Sequence, residues 1–159
     1  GRDRMAAEGQ AKQAGDRGRR AARVLGAASL IPFVAMVVAM LATGGHSVWS
    51  AVVIDGFKTW SVVALCFLGG IRWGLALRAE SASSAPYILA ALPAAIGWAA
   101  LFTPDEIAIG ILLLAHCAQG AWDSLSAQRG FAPSWFGDMR IVWTLLAAAA
   151  HIAIFVAIY

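Results

Sequence analysis

The sequence predicts an all-α integral membrane protein, a bundle of five transmembrane helices with its N-terminus inside and its C-terminus outside. Three observations predict this. The 159 residues are 60% hydrophobic and only 13% charged, against about 25% charged in soluble domains. Five apolar stretches approach the roughly 20 residues that a helix needs to cross a bilayer. The Lys and Arg residues, finally, fall almost entirely on one side of the topology those stretches imply.

Residues 1–22 are polar, Gly-rich and without periodicity. They bury too little apolar area to offset ordering entropy and are expected to be a disordered basic tail, leaving 23–159 as the membrane domain. The first span is 24–42, bounded by Arg23 and by Thr43-Gly44-Gly45, with a kink expected at Pro32. Its apolar run exceeds the 7–15 residues or so of a cleaved signal, so an uncleaved span is expected. The second span is 59–77 and carries Arg72 within "FLGGIRWGLAL". The third, 86–102, is short and expected to bend at Pro93. The fourth, 104–122, follows Thr103-Pro104-Asp105-Glu106, which reads as a capping Thr, a first-turn Pro and an early acid. The fifth is 139–158. The piece before it, with Pro133, Trp135 and Phe136, is expected to lie at headgroup level.

With the N-terminus inside, ten Lys and Arg face inward: Arg2, Arg4, Lys12, Arg17, Arg19, Arg20, Arg23, Arg78, Arg129 and Arg140. Lys58 alone faces outward, and Arg72 is intramembrane. That is a strong positive-inside bias. Trp49, Trp60 and Trp98 fall at outer ends, and Trp73, Trp122, Trp135 and Trp143 at inner ends, as interface anchors do. Seven of the twelve cations lie in the first 23 residues, so the net charge of +3 belongs to a tail. It implies anionic lipid as the tail's partner and no nucleic acid.

The intramembrane polar residues are the candidate site, because charge in a span is costly and marks pairing or function. Arg72 lies six residues before Arg78, about 9 Å below the inner boundary at 1.5 Å per residue. It either pairs with a carboxylate at matching depth, Asp123 before Asp138, or snorkels to the headgroups, or meets a lipid phosphate or substrate. Arg140 joins the same layer, giving a structural ion-pair cluster of Arg72, Asp123 and Arg140. Gly69, Gly70 and Gly74 are read as helix-packing positions beside it. His116, Gln119 and Asp123 share one helix face by spacing. With His151 they form a polar seam or, alternatively, a proton or ion path. A haem or metal site using His116 and His151, or His116 with Cys117 and Cys66, is the minor alternative. It is weakened because adjacent His116 and Cys117 point to different faces. The two cysteines are read as small buried hydrophobes. No nucleophile elbow, phosphate loop or metal-ligand spacing occurs, so neither catalytic nor metal residues are assigned, no cofactor is expected, and the chain is read as non-enzymatic.

Together "LGAASLIPFVA" (25–35), "FLGGIRWGLAL" (67–77) and "PSWFGDMR" (133–140), with an Asp shortly before the last, resemble a family of uncharacterised small multi-pass membrane proteins. That family occurs in proteobacteria and mitochondria and includes animal transmembrane protein 69. The resemblance covers about 23–150 and marks Pro32, Gly69, Gly70, Arg72, Trp73, Gly74, Asp123, Pro133, Trp135 and Arg140. His116, His151 and both cysteines lie outside its pattern. It implies a topology and a bacterial inner-membrane location, or the mitochondrial inner membrane in a eukaryote, but no reaction. Three functions are thus carried forward. The first is an accessory or assembly subunit of a larger membrane complex, whose partners are the bilayer and other membrane proteins or itself. The second is a small oligomeric transporter or channel using the Arg72/Asp123/His116 layer, and the third a haem-binding electron-transfer subunit.

Overall fold

The computed structural model describes residues 2–44 and 47–159, and all regular structure among them is helical. The helices are α1 Arg2–Ala28, α2 Ile31–Thr43, α3 Val48–Arg78, α4 Ala85–Ala100, α5 Asp105–Gln128 and α6 Ser134–Ile158. Four stretches are long and apolar enough to cross a membrane: Asp3–Thr43, which joins α1 to α2, and then α3, α5 and α6. The fifth membrane helix, α4, has 16 residues, about 24 Å of rise, and is shorter than a bilayer core of about 30 Å.

The elements depart from the expected spans where local chemistry explains it. Residues 2–22 are helical although disorder is expected over 1–22; Gly1 lies outside the described residues. Ala, Arg, Lys, Gln and Glu dominate this stretch and favour the helix without tertiary help, and residues 3–22 are exposed. The first span is two helices, not one kinked rod. The break falls at Ser29 and Leu30, where the Ser29 hydroxyl donates to the Gly26 carbonyl at 2.6 Å. Pro32 sits in the first turn of α2, where its missing N–H costs nothing. Gly44 ends α2 in the left-handed region, φ 66°; Gly45, the other half of the expected boundary, lies outside the described residues. Helix α3 begins eleven residues earlier than expected. Ser47 and Ser50 form a reciprocal capping box, and Asp55 offsets Lys58 one turn on.

Thr103 does not cap α5: its hydroxyl donates backward to the Ala100 carbonyl at 2.7 Å, and Pro104 takes the N-cap position. Pro93 stays inside α4, buried, without ending it. Nor does a flat piece precede the last helix. Residues 123–128 continue α5 and 134–138 already belong to α6, with Gly130 at φ 80° turning the chain between them.

Helices α2 to α6 close into a ring: α2 packs on α3, α3 on α4, α4 on α5, α5 on α6, and α6 returns to α2. Contact between α3 and α5 crosses the ring. Phe33, Met40, Ile54, Phe57, Ile109 and Ile154 fill one end, and Ala127, Ala132 and Phe136 fill the other. Lipid is as apolar as these side chains, so close packing and interhelical hydrogen bonds hold the ring. Gly69 admits the backbone of a neighbouring helix. A Cβ there would collide with the Ala90 carbonyl of α4.

Gly70 and Gly74 do not share that role. They lie about 100° and 140° around α3 from Gly69 at 100° per residue, and apart from the adjoining turns of α3 nothing among the described residues comes within 4 Å of a Cβ built on either. Gly69→Ala should therefore lower unfolding stability by about 1–3 kcal/mol, while Gly70→Ala and Gly74→Ala leave it unchanged or slightly raised. Denaturation of the three variants in mixed micelles separates these outcomes.

Candidate functional site

The inward stripes of three helices carry polar residues at matched heights. On α3 the stripe reads Lys58, Ser61, Leu65, Leu68, Arg72 and Ala76. On α5 it reads Asp105, Ile109, Leu112, His116, Gln119, Asp123 and Ser126, and on α6 Arg140, Thr144, Ala147, His151 and Ile154. Steps of three and four residues keep each set on one helix face. Most polar members find a partner on a facing helix, but Gln119 bonds Asp123 on its own helix and Thr144 Oγ1 has no partner among the described residues.

The lowest layer is built around Asp123, which is 1% exposed. Its Oδ1 accepts from Arg72 Nη1 at 3.0 Å and from Gln119 Nε2 at 3.3 Å. Its Oδ2 accepts from Arg140 Nε at 2.9 Å. Arg72 does not turn to the helix end; its Nη2 donates to Ser126 Oγ at 3.0 Å, and its guanidinium lies 5.1 Å from the Trp122 ring centroid, a cation–π geometry. One carboxylate thus joins α3, α5 and α6, and two guanidiniums against it leave the cluster with a formal charge of +1. Arg140 Nη2 finds no partner within the chain among the described residues.

The middle layer is a buried triad of Ser61, His116 and His151. Ser61 Oγ lies 3.0 Å from His116 Nε2 and 2.8 Å from His151 Nε2. His151 Nδ1 is 2.7 Å from the Ala147 carbonyl, which can only accept. With both rings neutral, the hydrogens then fall in one order. His151 Nδ1–H donates to Ala147, Ser61 donates to His151 Nε2, and His116 Nε2–H donates to Ser61 Oγ or to the Ser61 carbonyl at 3.2 Å. Aromatic rings close the layer: Phe57 lies 4.8 Å from His151 and Phe33 6.0 Å from His116, both edge-on.

At the far end, Lys58 Nζ lies 2.6 Å from Asp105 Oδ1 and 2.9 Å from Asp55 Oδ1. The lysine is buried, Asp55 is exposed and Asp105 is half-buried, so the charge is shielded on the inner side and wet on the other.

Of the residues singled out in the sequence, Arg72, Asp123, Arg140 and Gln119 come together, and His116 meets His151 through Ser61. Asp138 is exposed and takes no part. Trp73 stacks edge-on with Tyr87 at 5.1 Å. Trp135 lies 6.2 Å from Phe136 and 5.8 Å from the Arg23 guanidinium, and Pro133 is the N-cap of α6. Cys66 and Cys117 are not buried: both are exposed on the outside of the ring, because their positions fall between the inward stripes. No group of three or more His, Cys, Asp or Glu side chains able to hold a metal occurs among the described residues. Sequence reading missed Ser61, Ser126 and the Lys58–Asp105 pair. The signal was present for Ser61, which lies eleven residues, close to three full turns, before Arg72.

Ser61→Ala removes the only hydroxyl between two buried imidazoles. It should lower stability by about 1–3 kcal/mol, the cost of buried polar groups losing a partner. Ser126→Ala, in a part-exposed bond, should cost under about 1 kcal/mol. Unfolding midpoints in one detergent system compare the two, and equal losses would contradict the buried triad.

The comparisons with known proteins agree with this architecture and bring no reaction. Transmembrane protein 69 of Xenopus tropicalis is 33% identical over 128 residues, covering 77% of this chain and 49% of that protein. Transmembrane protein 69 of Mus musculus is 32% identical over 125 residues, covering 76% of this chain and 49% of that protein. The chain therefore spans about half the length of these relatives. No solved structure matches it. The family described as protein of unknown function (DUF3429) matches residues 18–156, and the chain belongs to that family of transmembrane proteins.

Proposed function

We propose that the chain is a non-catalytic subunit of a larger membrane complex, serving its assembly or support. One observation carries this reading. Gly70 and Gly74, one turn apart on α3, face open space outside the ring, beside Cys66 and among exposed apolar neighbours such as Val63 and Phe67. Small residues one turn apart admit a neighbouring helix at close range, and none of the helices among the described residues fills the place. The interior fits a support role as well, since Arg72, Asp123 and Arg140, and Ser61, His116 and His151, are turned to one another across helices. The ten-to-one distribution of cations supports an inner membrane with the N-terminus inside.

A second reading, an oligomeric proton or ion path, is favoured by the alignment of the Lys58, Ser61–His116–His151 and Asp123 layers along one bundle. In a single protomer the aromatic rings over the histidines oppose it. A haem site in the bundle interior would draw on His116 and His151, and both Nε2 atoms are engaged with Ser61.

Native purification followed by mass spectrometry should yield a stoichiometric protein partner. The Gly70→Ile, Gly74→Ile double variant should lose that partner while unfolding at the wild-type midpoint. Retention of the partner by the double variant would contradict the α3 face. A homo-oligomer that carries flux in proteoliposomes would replace this reading with the second one.

A further inference from the structure

A lateral cleft of about 440 Å³ opens between the ends of α3, α4 and α5 where these helices approach the polar boundary. Its size falls within the roughly 300–1,000 Å³ of ordinary ligand sites. Two arginines line it, Arg72 and Arg129, and no carboxylate does. Arg72 bonds Ser126, and Arg129 follows three residues later, one turn on, so both cations belong to one level of the bundle. Arg72 brings with it the positive excess of the Asp123 cluster, where two guanidiniums face one carboxylate. Arg129 has no ion-pair partner among the described residues. Apart from Ser81 and Ser126 the rest of the wall is apolar, with Leu75, Leu89, Trp122 and Phe131 among it.

We infer that this cleft binds one anionic phospholipid of the surrounding membrane, its headgroup phosphate on Arg129 and Arg72 and the start of an acyl chain on the apolar wall. The cations call for an anion, as basic pockets between membrane helices do. A free phosphate would leave Leu75, Leu89 and Phe131 uncovered, whereas a phospholipid covers them. A zwitterionic headgroup would bring its own cation toward two arginines. The site is separate from the Gly70–Gly74 face, and either can fail without the other.

The test uses the full chain, stripped of lipid in detergent and titrated with phosphatidylglycerol, phosphatidylcholine or inorganic phosphate, with native mass spectrometry as the readout. One phosphatidylglycerol per protomer should bind saturably, ahead of phosphatidylcholine, and millimolar inorganic phosphate should not displace it. Arg129→Gln removes a cation that holds no helix together and should weaken that binding about fivefold, the worth of one surface Arg toward anionic lipid. Leu89→Trp, which fills the wall without altering charge, should weaken it too. Equal binding of both lipids, an unsaturating series of adducts, displacement by phosphate, or unchanged binding in Arg129→Gln would each overturn the assignment.

Discussion

The bundle depends on a single carboxylate shared by two guanidiniums. A lone charge in a hydrocarbon interior is expensive, several kcal/mol after relaxation, and Arg72, Asp123 and Arg140 each stand within a membrane helix. None can be tolerated unless the others arrive. Asp123 sits on α5, the helix that touches α3, α4 and α6, and it spends one oxygen on each neighbour that supplies an arginine. The requirement that both oxygens be met fixes the rotation and the height of three helices at once. Hydrophobic burial cannot do this in lipid, where an apolar side chain is equally at home facing a neighbour or an acyl chain.

The layers above follow from that registration. With α3, α5 and α6 set by Asp123, Ser61, His116 and His151 are brought to one height, and a serine too short to reach far can bridge two imidazoles. The order of hydrogens in that triad ends at the Ala147 carbonyl, so each hydrogen in it meets an acceptor. Phe33 and Phe57 then cover the rings, and the apolar end of the bundle begins. Inside the ring Arg140 Nη2 and Thr144 Oγ1 are left without a partner among the described residues; outside it lie the open glycines on α3 and the arginine-lined cleft at the end of α5. A rigid interior with two unlike exterior faces suits a protein that holds other molecules in place.

Much of this was legible in the sequence because membrane helices are governed by few rules. Length and hydropathy locate five membrane segments, and the depth of Arg72 selects Asp123 and Arg140 as its company. The helix ends were less legible. The extra turns of α3 depend on a Ser47–Ser50 capping box and on Asp55 beside Lys58, which a hydropathy window scores only as polar residues. Thr103 looked like an N-cap but bonds the helix behind it, a choice between two neighbouring backbones that spacing alone does not decide. Gly69, Gly70 and Gly74 read as one motif, yet the 100° between successive residues sends the first toward α4 and the others away. Ser61 was passed over because a single hydroxyl in an apolar run is ordinary until two histidines from distant segments converge on it.

The most direct measurement of the central claim is a double-mutant cycle between Asp123 and Arg140, read as unfolding free energy in a defined mixed micelle. Asp123→Ala leaves two buried guanidiniums without their carboxylate and should cost about 3–5 kcal/mol, whereas Arg140→Ala leaves Asp123 paired with Arg72 and should cost less. The double variant should cost less than the sum by on the order of 1–3 kcal/mol. Additive losses would mean that the two residues act separately and that the shared carboxylate does not set the bundle.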